Sequence, residues 1–217
     1  MSDLHQDQHP FLDFVKKNQK ALTYTLVLAI VLIGGFFGYS ELYQKPREAK
    51  AADAIFMAEK YFANDSSNFV LNGDGTSKGV LYIMKEYSGT KAANLSKYYA
   101  GISYFRLNDF NKSIEYLKDF TTNAKQVQAI AYGTMGDAYA ELKKNDDAVS
   151  YYKKAGEYFP EDESISSEYL FRAASFLELN GKNDEAIELY NTIKNKYPKS
   201  EKGFMADKYI NRLKIQP

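Results

Sequence analysis

The hydrophobic pattern divides the chain into one uninterrupted apolar segment and a longer region of helical periodicity. Residues 21–40, ALTYTLVLAIVLIGGFFGYS, include no charged side chain. At about 1.5 Å per residue, a helix of this length spans about 30 Å, the hydrocarbon thickness of a bilayer. Beyond it, apolar residues recur at helical spacing. The pattern predicts an all-α chain with a tail at 1–20, a transmembrane anchor at 21–40 and a helical domain at 41–217.

A cleaved signal peptide is the alternative interpretation of the apolar segment. Its apolar part would be only about 7–15 residues long and would lead to a small-x-small cleavage site. Here the run is longer and continues into Tyr39-Ser40-Glu41-Leu42-Tyr43. The sequence therefore favours an uncleaved anchor.

The orientation of this anchor depends on the basic residues that flank it. Three precede the span and three follow it, so the positive-inside count is a tie. The first three lie closer to the apolar boundary, which favours a cytoplasmic N-terminus. The six residues are Lys16, Lys17, Lys20, Lys45, Arg47 and Lys50.

Small residues in the span offer a helix–helix contact. Gly34 and Gly38 form a GxxxG pair, and Gly35 lies beside them. Glycines four apart let another membrane helix approach closely, although glycine is also common in membrane helices without such a contact. We take these three glycines as candidates for contact with a partner helix.

A repeat signature lies at 129–160. Its residues follow the order aromatic-x2-aliphatic-Gly-x2-Tyr, then Ala-x3-aromatic, then Pro, which is the tetratricopeptide (TPR) pattern of about 34 residues. Gly136 and Ala148 are small, so the two helices of the unit can pack closely there. The matching residues are Tyr132, Met135, Gly136, Tyr139, Ala148, Tyr152 and Pro160.

Weaker copies flank this unit at about 92–125 and 166–198. In the first copy, Lys97 replaces the aromatic residue, and the matching residues are Ala100, Gly101, Tyr104, Ser113 and Leu117. In the third, Arg172 stands at the aliphatic position, and one extra residue near Asn180-Gly181 is taken to lengthen the turn. The matching residues there are Tyr169, Ala173, Phe176, Ala186, Tyr190 and Pro198.

The remaining helical patterns complete a solenoid. Residues 47–87 predict a helical hairpin with a long irregular connection, and Thr90 is placed to cap the following helix. Residues 202–214 predict a capping helix with one apolar side, formed by Phe204, Tyr209, Ile210 and Leu213. The fold class is thus all-α, with a transmembrane helix followed by a TPR-like α-solenoid.

Composition removes several classes of function. Lys plus Arg equals Asp plus Glu, 28 each, so nothing indicates a nucleic-acid partner. There are no cysteines, both histidines (His5 and His9) precede the anchor, and catalytic motifs are absent. Acidic pairs such as Asp146-Asp147 and Asp184-Glu185 fall at predicted helix starts, where they stabilise the helix dipole. We expect no enzyme activity, no cofactor and no metal.

What remains is a surface for partners. In a TPR stack the first helix of each pair lines a groove that accepts a peptide. The positions of these helices not used by the repeat signature are candidates, although neighbouring hairpins cover some of them in many arrays. In the first two copies they are Leu95, Tyr98, Ile102, Phe105, Arg106, Asp137 and Glu141, and in the third Leu177 and Glu178.

The order of parts resembles bacterial single-pass membrane TPR proteins of the YfgM type, ancillary subunits of the SecYEG translocon, with Bacteroidetes members closest. The stretch from Tyr87 to Leu95, YSGTKAANL, is similar to a segment of that family, with Ser96 where Ala is usual. The resemblance implies an inner-membrane protein whose repeat domain is periplasmic. It further implies membrane lipid, SecYEG and a PpiD-like membrane-anchored peptidyl-prolyl isomerase or chaperone as partners.

Three protein-interaction functions are consistent with these features. The first is an adaptor at the Sec translocon that assists secreted chains. The second is a scaffold for envelope assembly or cell division, and the third is a TPR receptor facing the cytosol. A periplasmic enzyme is disfavoured because the domain at 41–217 contains no histidine.

Overall fold

A computed structural model describes residues 10–215 and divides the chain into two compact units, Met1–Ala49 and Lys50–Pro217. Between residues 10 and 215 every regular element is a helix, which confirms the predicted all-α class. Of the tail predicted at 1–20, residues 1–9, with His5 and His9, lie outside the described residues.

The first unit contains helices α1 (Pro10–Lys17) and α2 (Gln19–Tyr39) and a π-helical turn (Ser40–Gln44). Among the described residues, one helical run, Gln19–Ala63, is long and apolar enough to cross a membrane, with a mean hydropathy of 2.1 in its most apolar window. None of that window is buried by protein. The run is therefore a candidate membrane span by length and composition.

The π-helical turn lies just before a proline. The N–H of Lys45 bonds to the carbonyl of Ser40, five residues back. Pro46 follows in the first turn of α3 (Lys45–Ala63) and has no N–H to donate. The π-helical turn thus lies directly before the proline that lacks an N–H, as is common where an α-helix accommodates a proline.

The predicted hairpin at 47–87 contains one helix more than the sequence indicated. Helices α4 (Ser67–Asn72) and α5 (Val80–Glu86) follow α3, and α4 lies inside the connection that was expected to be irregular. Apolar residues of the three helices form one core, whose buried members include Ala51, Ile55, Ala58, Val70, Leu71, Val80 and Ile83. This packing explains why so short a helix as α4 is held in place.

Three helix pairs and a last helix follow. The pairs are α6 (Lys91–Arg106) with α7 (Phe110–Lys118), α8 (Lys125–Glu141) with α9 (Asn145–Tyr158), and α10 (Glu163–Leu179) with α11 (Asn183–Lys196); α12 is Glu201–Ile215. The Thr90 cap is confirmed, because its Oγ1 accepts the Ala93 N–H at 3.1 Å. Asp109 and Asp162 cap α7 and α10 in the same way.

The two helices of each pair are joined by a connection of the same length. The connections are 107–109, 142–144 and 180–182, and their middle residues, Asn108, Lys143 and Gly181, have φ of 61°, 61° and 72°. The third turn is therefore no longer than the others, and the predicted insertion near Asn180-Gly181 is wrong. A left-handed turn of this kind ends a helix and reverses the chain.

The register of the third repeat shifts by one residue as a result. The Tyr152 hydroxyl meets Asp137 Oδ1, and the Tyr190 hydroxyl meets Ser175 Oγ, both fifteen residues apart. Ala174, not Ala173, thus corresponds to Gly136. Tyr169, Ala173 and Phe176 each lie one residue before the signature position to which the sequence assigned them. That assignment is therefore wrong.

The capping helix α12 also differs from its predicted faces. Ala206, Ile210 and Leu213 are buried, but Phe204 is 76% exposed. The inward position is taken by Gly203 instead, where a Cβ would lie 2.0 Å from the Tyr197 carbonyl oxygen. Only glycine permits this approach of α12 to the end of α11.

The turn between α8 and α9 provides a test of backbone strain. We expect Lys143→Gly to raise the free energy of unfolding by about 0.5–1 kcal/mol, because a left-handed φ is strained for lysine and not for glycine. The matched control Lys143→Ala removes the same side chain but keeps a Cβ, and should give no gain. Denaturant unfolding of both variants measures the difference; equal stabilities would contradict the role of φ.

Candidate partner-binding surface

Tyr98 lies in a cluster of aromatic rings that joins the hairpin to the first repeat. Its ring centroid is 6.2 Å from that of Phe62, 5.8 Å from Tyr99 and 5.3 Å from Phe120. Burial raises the pKa of the Tyr98 hydroxyl above its ordinary value. The side chain is half-buried, so one part packs against its neighbours and another part faces solvent.

Arg106 fastens the end of α3 to α6. Its Nη1 donates to the carbonyl oxygen of Phe62 at 3.3 Å and lies 3.0 Å from Asp65 Oδ1. The guanidinium also lies over the Phe62 ring, 4.5 Å from the centroid. A cation at a helix C-terminus is stabilised by the helix dipole. Arg106 therefore makes three contacts inside the molecule at a position where the sequence suggested a contact for a partner.

The other candidates in α6 differ in their exposure. Ile102 is only 9% exposed and packs with Leu117 and Met135 in the core, so it presents little surface. Phe105 is half-buried and meets Phe110 edge-on at 5.6 Å. Leu95 is half-buried too and lines a cleft at the start of α6.

That cleft has a volume of about 790 Å³ and is bounded by three segments, 89–95, 120–123 and Tyr158. Gly89 has φ +85° and permits the turn between α5 and α6. Asn94 Nδ2 donates to the Thr121 carbonyl oxygen at 2.7 Å and Lys97 Nζ to that of Asp119 at 3.0 Å. These two side chains hold the α7–α8 connection against α6.

Asp137 belongs to a chain of charges that crosses three helices. Its Oδ1 accepts from Arg172 Nη1 and from the Tyr152 hydroxyl, each at 2.8 Å. Arg172 Nε donates to Glu168 Oε1 at 2.9 Å, and Glu168 Oε2 lies 3.3 Å from Lys202 Nζ. These bonds connect α8 to α10 and α10 to α12. Asp137 is thus engaged within the solenoid.

A second contact closes the space between α8 and α10. The ring of Tyr169 lies directly over Gly133, where a Cβ would come within 2.1 Å of ring atoms. Burial raises the pKa of Tyr169 to about 12, with a further contribution from the charge of Asp137. Gly133 therefore provides the room that Tyr169 fills.

Of the three remaining candidates, two are engaged within the molecule and one is exposed. Leu177 is 1% exposed and belongs to the core, and Glu178 Oε1 accepts from Arg212 Nη2 at 2.5 Å. Glu141 is exposed at the end of α8 and makes no hydrogen bond or ion pair within the described residues. Among the candidate residues, Glu141 and the outer parts of Leu95, Tyr98 and Phe105 are thus the ones that remain open to a partner.

The three anchor glycines lie on an open helix surface. Apart from their chain neighbours and the backbone of their own helix, no atom of the described residues comes within 4 Å of a Cβ built on Gly34, Gly35 or Gly38. Their contact with a partner helix stays a prediction.

Comparisons with known proteins agree with this architecture. One tetratricopeptide repeat family model matches residues 96–126 and 168–200. Another tetratricopeptide repeat model matches residues 129–162. No curated protein matches the chain. The chain is similar to a crystal structure of nearly identical TPR-like repeats from a putative kinesin light chain of Podosopora anserina. The two share 12% sequence identity with a TM-score of 0.53, and the match covers 76% of this chain and 86% of that one. A single-substitution variant of the same protein gives 11% identity, a TM-score of 0.52 and coverages of 76% and 85%.

At this identity the similarity shows the fold alone. The chain contains TPR repeats and folds as a TPR-like solenoid, a class whose members are typically modules for protein–protein interaction.

The contacts that cross between helix pairs are not visible in the repeat signature. Arg172 was visible as a charge at a position where an aliphatic residue was expected, and Gly133 was visible as a second glycine in α8. Both mark places where the neighbouring pair approaches. Their partners, Asp137 and Tyr169, lie 35 and 36 residues away, one repeat in distance.

The charge chain gives a stability prediction. Asp137→Asn should lower the free energy of unfolding by about 1 kcal/mol, since a charged acceptor for Arg172 and Tyr152 is lost in a partly exposed site. High salt should shrink the effect. The control Glu141→Gln, one turn away and exposed, should stay within about 0.5 kcal/mol of wild type. Equal losses in the two variants, measured by denaturant unfolding, would show that the bonds of Asp137 to Arg172 and Tyr152 contribute nothing.

Buried tyrosines predict a dependence on alkaline pH. Burial, with nearby acidic side chains, raises the pKa of Tyr99 and Tyr190 to about 12. Unfolded tyrosines ionise near pH 10, so between about pH 10 and 12 the folded state binds more protons and its stability falls as pH rises. Below this range the stabilisation is fully present. Denaturant unfolding across this interval should show a smaller slope for Tyr190→Phe than for wild type; an unchanged slope would refute the assignment.

Proposed function

We propose that this protein is a membrane-anchored adaptor that acts by protein–protein interaction rather than by catalysis. The observation that carries the proposal is the combination, in one chain, of a TPR-like solenoid and an apolar helical run long enough to span a bilayer. The solenoid offers half-buried aromatic side chains to a partner, and the apolar run confines the encounter to a membrane surface. Confinement raises the effective concentration of the two partners.

The proposed location is the bacterial inner membrane, with the N-terminus in the cytoplasm and the repeat domain in the periplasm. The support is the position of Lys16, Lys17 and Lys20 close to the apolar boundary, together with the family resemblance.

The proposed partners are the SecYEG translocon and a PpiD-like membrane-anchored peptidyl-prolyl isomerase or chaperone. The support is the stretch from Tyr87 to Leu95, which is similar to a segment of the YfgM family. In this chain the stretch has a definite structural role, because Gly89 makes the turn, Thr90 caps α6 and Asn94 holds the α7–α8 connection. The same segment lines the 790 Å³ cleft.

Photocrosslinking tests the partner surface. A photoreactive residue at Tyr98, Phe105 or Gly34 should give adducts with Sec subunits or a membrane-anchored isomerase, identified by mass spectrometry after extraction in mild detergent. The same group at Ser150, exposed on α9, is the matched control. If Tyr98 and Phe105 give the same adducts as Ser150, or none with these partners, the proposed surface is wrong.

Topology is tested with introduced cysteines, since the chain has none of its own. Ser164→Cys, exposed at the start of α10, should react with a membrane-impermeant thiol reagent in cells whose outer membrane has been made permeable. Asn18→Cys should react only after the inner membrane is broken. The reverse pattern would place the repeat domain in the cytosol.

A further inference from the structure

The first repeat, α6–α7, contains three buried hydroxyl groups without hydrogen-bond partners. Ser96, Ser103 and Ser113 are each 0% exposed, and no atom in the described residues bonds to their Oγ. In the second repeat, α8–α9, the corresponding residues 35 positions later are Ala131, Ala138 and Ala148, also 0% exposed. Gly101 and Gly136 fix this correspondence, because they face Leu117 and Tyr152 in the same way.

This difference weakens the first repeat relative to the second. A hydroxyl buried without a partner loses its bonds to water and gains none in return. Alanine at the same place fills the space without that cost and is a better helix former than serine. At these three positions the first repeat has an unpaired hydroxyl and the second has none, while the second repeat has one such group elsewhere, Nε2 of Gln128 in α8.

The second helix of the first repeat is also short. Helix α7 has 9 residues, whereas α9 and α11 each have 14. A short helix has fewer internal hydrogen bonds and a smaller face to bury against its partner. The six residues 119–124 that follow α7 are not helical.

Side chains, rather than a helical backbone, hold this connection. Asn94 and Lys97 donate to the carbonyl oxygens of Thr121 and Asp119, and Gln128 Oε1 accepts the Thr122 N–H at 2.9 Å. The bonds of Asn94 and Lys97 lie at exposed positions where water competes for the same carbonyls. Gln128 itself belongs to α8, so the bond that it makes to Thr122 attaches the connection to the second repeat.

We infer that α6–α7 is the least stable helix pair of the solenoid and opens locally while α8–α11 stays folded. Repeat arrays permit such opening because each unit contacts only its neighbours, so stability varies from repeat to repeat. Helix α6 also carries Leu95, Tyr98 and Phe105. On the proposed function, a partner that binds these residues orders the first repeat, and binding is coupled to its closure.

Hydrogen exchange of the full-length chain in detergent, without any partner, tests the inference. Amides of α6 and α7 should exchange at least tenfold faster than those of α8 and α9. The triple variant Ser96→Ala, Ser103→Ala, Ser113→Ala should slow the exchange of α6–α7 by about tenfold or more and leave α10–α11 unchanged. Equal protection of the two repeats in wild type would overturn the inference.

Two controls separate burial from helix propensity. Ser150→Ala changes an exposed serine in α9 and should slow exchange there by less than about twofold. The reciprocal variant Ala131→Ser, Ala138→Ser, Ala148→Ser places the three hydroxyls in the second repeat and should speed its exchange about tenfold. If neither triple variant moves exchange in its own repeat, the unpaired hydroxyls are not the cause. Because no partner is present, these outcomes do not depend on the proposed function.

Discussion

The architecture depends on the close approach of a small residue on one helix to a bulky residue on the next. Gly101 leaves room for Leu117, Gly136 for Tyr152 and Gly156 for Leu170. Each of these contacts fixes the distance between two helices, and the aromatic and aliphatic rows of the core then fit around it. Gly133 extends the same device to the contact between α8 and α10. Without these small residues the helices would separate and the buried rows would lose their partners.

The surface on which a TPR protein usually receives its partner is partly occupied by contacts within the molecule. Arg106 holds α3, Asp137 holds Arg172 and Glu178 holds Arg212. These bonds connect successive helix pairs, so the charges that a sequence comparison would assign to a partner stabilise the array itself. The groups that remain open are few, and the ones on α6 belong to the repeat with three unpaired hydroxyls. On the proposed function, the strength of partner binding and the local stability of the first repeat would depend on the same short stretch of chain.

The helices and their pairing could be predicted from the sequence because they depend on local periodicity. The Thr90 cap and the acidic first turns of α9 and α11 are confirmed for the same reason. The register of the third repeat could not be predicted. Tyr169 and Phe176 are aromatic, and so imitate signature positions, but they are used between repeats, over Gly133 and beside Tyr152. The turn geometry, with left-handed residues at Asn108, Lys143 and Gly181, resolves the register, and it appears only in the folded backbone.

The exposure of a candidate residue depends on its contacts with the neighbouring repeat. The spacing of residues within one repeat does not reveal those contacts. Ile102 and Leu177 have the same apolar character as Leu95, yet they are buried by α7, α8 or α11. Arg106 and Glu141 stand at equivalent places in successive repeats, and only Arg106 finds a carbonyl and a carboxylate beside it. The hairpin α3–α5 supplies both of those groups.

The exposed side of α12 differs from the sides that the earlier first helices present to the helix that follows them. The exposed side of α12 carries Lys208, Asn211, Arg212 and Lys214 beside the apolar Phe204 and Ile215, and it lacks the small residue that α6, α8 and α10 offer to a following helix. This side therefore offers a second molecule no small residue against which one of its helices could pack closely. Solenoids whose ends remain receptive can add one molecule to the next and form filaments. On this side of α12, the lysine and arginine side chains would have to lose bound water before a second molecule could stack there, which opposes growth of a filament at this face.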